Sequence, residues 1–122
     1  MRARVLIVED EPVLALELKS IVSHAGFAIA GCVASVEKAL AVIDRHGCDL
    51  AVLDANLQGE SIEPVAEALC RHGSPFCFIS GYDRVFLPER LLDAPRLPKP
   101  FEPSDLVRLI GQLASCNPSE RE

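Results

Sequence analysis

Four short apolar runs punctuate the chain, and each is followed by a stretch with apolar residues at helical spacing. Val5-Leu6-Ile7-Val8 is continuous, rich in β-branched residues, and ends in acids at Glu9 and Asp10. Such a run reads as a strand buried on both faces, as in a parallel sheet. Residues 27–33, 50–53 and 75–79 repeat the pattern, with Asp54 and Ser80 closing the last two. Between the runs lie four helical stripes. They are Leu14, Leu18, Ile21, Val22 and Ala25; Val36, Ala39, Leu40 and Ile43; Ile62, Val65, Ala66 and Leu69; and Leu106, Leu109, Ile110 and Leu113. That recurrence puts one face of each helix inward. Pro12 and Pro103 suit a first helical turn, Ser35 can cap the second helix, and Gly26, Gly47 and Gly73 are natural stops.

Strands alternating with helices of this length predict βα units on a parallel sheet, hence an α/β fold. The stretch 83–98 fits least well. Pro88 and Pro95 interrupt it, which predicts a short or mobile fourth helix. Pro95 and Pro98 flank Arg96-Leu97, so a fifth strand there must be very short and at the sheet's edge. Residues 1–116 form the expected domain, and 117–122 a polar C-terminal tail.

A chain of 122 residues is one domain, and burying roughly two-thirds of its unfolded surface gives it one core. Trp is absent and Tyr occurs once, so that core is aliphatic. A net charge of −6 argues against nucleic acid and anionic membrane as direct partners. The same carboxylates suit a hard cation. The first apolar run stops at Glu9, too short for a secretory or membrane segment. The five cysteines form no CxxC pair. They read as small buried fillers in a reducing cytoplasm, with Cys116 near the tail as a candidate exposed thiol.

The polar residues that matter fall at one place. In an open parallel sheet, ligands bind outside the carboxyl ends of the strands. Glu9 and Asp10 end the first strand, Asp54 the third and Ser80 the fourth, and Lys99 follows the fifth. Two carboxylates at 4 Å cost about 4 kcal/mol at an effective dielectric near 20. A divalent cation removes that cost, and oxygen-only ligands favour Mg²⁺. Lys99 adds a compact positive charge and Ser80 a hydroxyl donor. Phosphoryl transfer needs chiefly in-line positioning and charge neutralisation, which this set supplies. Each residue also has a plainer reading: the acids as helix or turn caps, Ser80-Gly81 as a turn, Lys99 as a solvated charge. Their shared place at one end of the sheet favours a site.

The ordered set Val8-Glu9-Asp10-Glu11-Pro12, Asp54, Ser80 and Lys99-Pro100-Phe101 resembles the receiver domains of response regulators, over roughly Arg4 to Ala114. Phe78-Ile79-Ser80-Gly81-Tyr82 and the loop from Asp54 to Gly59 resemble a subclass named for its Phe-Ala-Thr-Gly-Tyr motif, often single-domain. The resemblance implies a flavodoxin-like (βα)5 three-layer sandwich with strand order 2-1-3-4-5. It implies a stand-alone receiver of a two-component system or phosphorelay, which accepts a phosphoryl group from a phosphohistidine onto Asp54. Such a protein is no conventional enzyme, although it catalyses its own aspartyl phosphorylation and dephosphorylation. Asp10 and Asp54 would ligate Mg²⁺ directly, Glu9 through water, and Asn56 through its backbone carbonyl. Ser80 and the Ala55 backbone N–H would hold the phosphoryl group beside Lys99. The implied partners are a sensor histidine kinase or histidine phosphotransfer protein, and a downstream protein target, with the chain a monomer or weak dimer. The donor should dock against the first helix, where Val13 and Leu16 lie off the core stripe.

Two positions depart from the family's usual pattern. Gln58 stands where most receivers have Pro, and Arg96 where most have Tyr or Phe. The usual aromatic switch is thereby lost, and Gly81, Tyr82 and the segment after it are the expected substitutes. Asn56 and Tyr82 flank the path of a hydrolytic water. A phosphorylation-independent adaptor of the same shape is the alternative. A phosphohydrolase of the haloacid-dehalogenase type fits poorly, because its nucleophile ends the first strand.

Overall fold

All four apolar runs form strands in the computed structural model, which describes residues 2–57, 59–81, 91 and 94–116. They are β1 (Arg4–Val8), β2 (Ala28–Val33), β3 (Leu50–Asp54) and β4 (Phe76–Ser80), joined by a three-residue β5 (Arg96–Pro98). Every pairing is parallel, in the order β2-β1-β3-β4-β5. Val8 lies opposite Leu53, Asp54 opposite Ile79, and Ser80 opposite Pro98. The carboxyl ends of β1, β3, β4 and β5 are therefore nearly level. The chain order reverses between β1 and β3, which opens a crevice at that end.

The helices are α1 (Pro12–His24), α2 (Val36–Arg45), α3 (Glu63–His72) and α4 (Pro103–Cys116). Their ends follow local chemistry. The Ser35 hydroxyl accepts from the Lys38 N–H at 3.2 Å and caps α2. Gly73, at φ 73°, closes α3 in the left-handed region that a side chain would disfavour.

Alternation along the strands divides the core in two. Leu6, Val8, Ala51, Leu53 and Phe78 face α2 and α3, where Ala39, Ile43, Val65 and Leu69 meet them. Val5, Ile7, Leu50, Val52, Cys77 and Ile79 face the other way, onto Leu18, Val22, Leu106 and Ile110. Successive residues of a strand point to opposite faces, so a sheet covered on both sides needs the continuous apolar runs seen here. Each such large side chain contributes about 1.5–3 kcal/mol by leaving water. The architecture is a flavodoxin-like sandwich, and β5 is short and at the edge as its flanking prolines predict. The expected fourth helix falls at 83–95, of which only Leu91, Ala94 and Pro95 are described. Among the described residues no helix is long and apolar enough to cross a membrane.

The cysteines correct one expectation. Cys77 is a buried filler, its thiol pushed up to about 12 by burial. Cys48 is half-buried, whereas Cys32 and Cys70 are exposed. Cys32 lies on β2, the outer strand, and Cys70 on the outward face of α3. Average cysteine behaviour carries no information about which side of an element a given position takes.

Candidate functional site

Glu9 continues the sheet one residue past β1, its N–H donating to the Val33 carbonyl at 2.9 Å. The side chain is only 2% exposed. Its Oε2 accepts from the Glu11 N–H at 3.1 Å, while Oε1 is buried with no hydrogen-bond partner. Asp10 is half-buried beside it. Asp54, the last residue of β3, is 3% exposed and accepts from the Asn56 N–H at 2.9 Å through Oδ1. Glu9, Asp10 and Asp54 each offer a carboxylate oxygen within 4.8 Å of the others.

Lys99 arrives from the far side. Its N–H donates to the Ser80 carbonyl at 2.7 Å, which ties the start of the Lys99–Pro100 cis unit to the end of β4. Its Nζ then lies 3.8 Å from Glu9 Oε1 and 3.9 Å from Asp54 Oδ1. These are ion-pair separations, longer than an N–H···O hydrogen bond. The plain reading of Lys99 as a solvated charge is thus excluded, because its side chain is only 25% exposed. Ser80 is buried at the end of β4. Glu9, Asp10, Asp54, Asn56, Gly81 and Lys99 line one cleft of about 540 Å³.

The site is electrostatically unbalanced, with three acids facing one lysine. Carboxylate oxygens within 4.8 Å of one another repel by at least about 3 kcal/mol per charged pair at an effective dielectric of 20. Burial pushes the Glu9 carboxyl up to about 7; the Glu11 N–H pulls the other way, and the Asp54 charge adds to the rise. An unpartnered buried carboxylate oxygen within an all-oxygen acid cluster fits a hard divalent cation.

Of the residues expected at the site, Glu9, Asp10, Asp54, Asn56, Gly81 and Lys99 share the cleft, and Ser80 is buried at the end of β4. The Ala55 N–H donates to the Ile79 carbonyl at 3.0 Å, extending the β3–β4 ladder. It is thereby engaged in the sheet, and the backbone donor facing the Asp54 carboxylate is that of Asn56. Asp54 also does what its plainer reading held, since its bond to the N–H two residues on is an Asx-type turn. Glu11, whose N–H holds Glu9, carried no signal in the sequence, because a backbone donor has none. Gln58 and Tyr82 lie outside the described residues.

A parallel α/β sheet with an acidic cleft and a lysine at its carboxyl edge defines the class: a receiver. The chain belongs to the response regulator receiver domain family, which matches residues 5–111. It is similar to the transcriptional regulatory protein PdtaR of Mycobacterium tuberculosis, 29% identical over 92% of this chain and 57% of that protein. It is similar to the phyllosphere-induced regulator PhyR of Methylorubrum extorquens, 29% identical over 99% of this chain and 47% of that one. The chain therefore spans about half the length of the curated relatives it matches. Among solved structures, SdrG from Sphingomonas melonis Fr1 is 37% identical with a TM-score of 0.81, covering 92% of this chain and 96% of that one.

Proposed function

We propose that this receiver accepts a phosphoryl group from a phosphohistidine on a partner protein onto Asp54, with Mg²⁺. The observation that carries the reading is the Lys99 ammonium set at ion-pair distance between Glu9 and Asp54, facing a buried Glu9 oxygen that accepts no hydrogen bond. In the reaction an Asp54 oxygen attacks phosphorus. The O–P bond forms, the P–N bond breaks, and the electron pair stays on the imidazole nitrogen, which takes up a proton. Lys99 offsets the charge on one phosphoryl oxygen. The Ser80 hydroxyl is the donor for another, and the Ala55 N–H, which here donates to the Ile79 carbonyl, would turn from the ladder to serve the third. Mg²⁺ bound by Asp10, Asp54, the Asn56 carbonyl and, through water, Glu9 would neutralise the remaining charge.

The test is incubation with acetyl phosphate, with and without Mg²⁺, read by intact mass. One acid-stable, base-labile phosphoryl adduct that requires Mg²⁺ is expected. No adduct, together with no binding of beryllofluoride by NMR, would move the adaptor reading ahead.

Acidity gives a second prediction. Glu9, with its carboxyl raised to about 7, is largely protonated at pH 6 and largely ionised at pH 8. A folded-state value above the ordinary 4.5 means the metal-free fold takes up a proton that the unfolded chain releases. That contribution is complete below the unfolded value and is lost as pH rises through about 7. Metal-free protein should therefore melt lower at pH 8 than at pH 6. A cation competes with that proton, so apparent Mg²⁺ affinity should rise about tenfold over the same interval. Equal affinities at the two pH values would remove Glu9 from the cation site.

Val13 and Leu16 are 75% and 68% exposed on α1, and Val13 lines a neighbouring cleft that shares Glu11 and Lys99 with the acidic one. We assign them to docking of the histidine-bearing partner. Leu16→Glu should slow transfer from the cognate donor at least about tenfold, the range of an apolar anchor lost from an interface. Labelling by acetyl phosphate should be unchanged. Unchanged transfer would exclude this face. Output is by protein contact in the same proposal. A relative of 28% identity over 95% of this chain, PhyR of Bartonella quintana, is named an anti-anti-sigma factor.

A further inference from the structure

The loop that carries Asn56 is held at its far end by a side chain that the phosphoryl chemistry itself does not use. Beyond Asn56, Leu57 is buried in the core shared with α2 and α3, and Gly59, at φ 70°, turns the chain. The Glu60 N–H donates back to the Leu57 carbonyl at 3.3 Å. The Glu60 side chain then crosses to another element, where its Oε1 accepts from the Val36 N–H at 3.2 Å. Val36 opens α2, and the Lys38 N–H two residues on is held by the Ser35 hydroxyl. The first N–H groups of a helix lack intrahelical partners, and the helix dipole favours a carboxylate there. The contact is therefore attractive in charge as well as in hydrogen bonding.

From this geometry we infer that Glu60 is a positioning residue for the phosphoacceptor site. By clamping the loop onto the start of α2, it fixes where the Asn56 backbone stands relative to Asp54. The inference rests on the reading of Asn56 as a cation ligand through its backbone carbonyl. Three anchors define the loop: the Asn56–Asp54 bond at the site, the Leu57 plug, and the Glu60–Val36 clamp. Releasing the last leaves the loop held by the Asn56–Asp54 bond and the Leu57 plug alone, so the plug can shift and carry Asn56 with it. Asn56 then loses order relative to Asp54, although no residue of the site has changed.

A merely structural role would act only through the stability of α2, and a second cap on that helix separates the two. Ser35→Ala removes the bond to Lys38 and destabilises α2 without touching the loop. Mg²⁺ affinity, followed by the amide resonances around Asp54, and melting temperature are measured for wild type, Ser35→Ala, Glu60→Ala and Glu60→Gln. Glu60→Ala should weaken Mg²⁺ binding about threefold, the scale of one helix-terminus carboxylate. Glu60→Gln, which keeps an acceptor oxygen, should recover part of it. Ser35→Ala should lower the melting temperature and leave the affinity at the wild-type value. Equal affinities in Glu60→Ala and wild type overturn the clamp, as does an equal loss in Ser35→Ala. Absence of Mg²⁺ binding in the wild type itself overturns the underlying reading, a result none of the variants can mimic.

Discussion

Asp54→Asn should abolish phosphorylation, weaken Mg²⁺ binding at least about tenfold, and raise the stability of the metal-free protein. The first effect follows from chemistry, because an amide oxygen is no nucleophile toward phosphorus at neutral pH. The second follows from loss of one of the charged oxygens in the acid cluster. The third is less expected of an active-site change. Asp54 is buried 3.9 Å from one lysine, but it shares a site with two other acids. Its removal relieves more repulsion than attraction, and Asn keeps the shape and an acceptor for the Asn56 N–H. Relief of about 1 kcal/mol corresponds to a rise of about 4–8 °C in Tm for a small domain. Adding Mg²⁺ should raise the Tm of wild type and leave the variant where it is, since only a bound cation stabilises the fold. Calorimetry with and without Mg²⁺ reads all of this except the labelling. An unchanged metal-free Tm would mean that Lys99 already balances the cluster.

The largest loss of stability is expected from Phe78→Ala. Phe78 is fully buried and meets Phe76 edge-on, ring centroids 5.5 Å apart at 75°. It packs in one core with Leu53 and Leu69, on the strand that ends two residues later at Ser80. Truncating a buried Phe costs about 3–5 kcal/mol, part lost transfer energy and part cavity. Against a total stability of about 5–15 kcal/mol, this is a fifth at least. Phe78→Leu, which keeps most of the volume, should lose less than half as much. Urea titration of the two variants checks the ratio, and equal losses would point to the ring contact with Phe76 over volume.

Most of this fold is legible in the chain because a doubly covered parallel sheet leaves no ambiguity of face. Val5-Leu6-Ile7-Val8 has no polar position to misplace, and β5 is readable because Pro95 and Pro98 leave only two residues between them. The acids and Lys99 were legible as a set because each directly follows such a run. What could not be read are interactions set by tertiary register. Whether the Ala55 N–H faces the cleft or the ladder depends on how far β3 and β4 stay paired, and the pairing reaches Asp54–Ile79. The Glu60–Val36 contact joins a loop to the start of a helix 24 residues earlier, with no sequence relation between them. The exposure of Cys32 and Cys70 follows from edge and face positions that composition ignores.

The pairing of β1 with β3 also fixes when the site's charges appear during synthesis. Glu9, Asp10 and Asp54 all lie in the first half of the chain, whereas Lys99 comes 45 residues after Asp54. At about 5–20 residues per second, a ribosome supplies the lysine roughly 2–9 s after the last acid. During that interval a nascent chain able to pair β1 with β3 gathers three carboxylates without the lysine that faces them in the finished site. β4 must also be in place before the Ser80 carbonyl can hold the Lys99 N–H. The acidic half of the site is therefore complete in the chain before its counter-charge, and in those seconds a proton on Glu9 or a cation from solution must offset it.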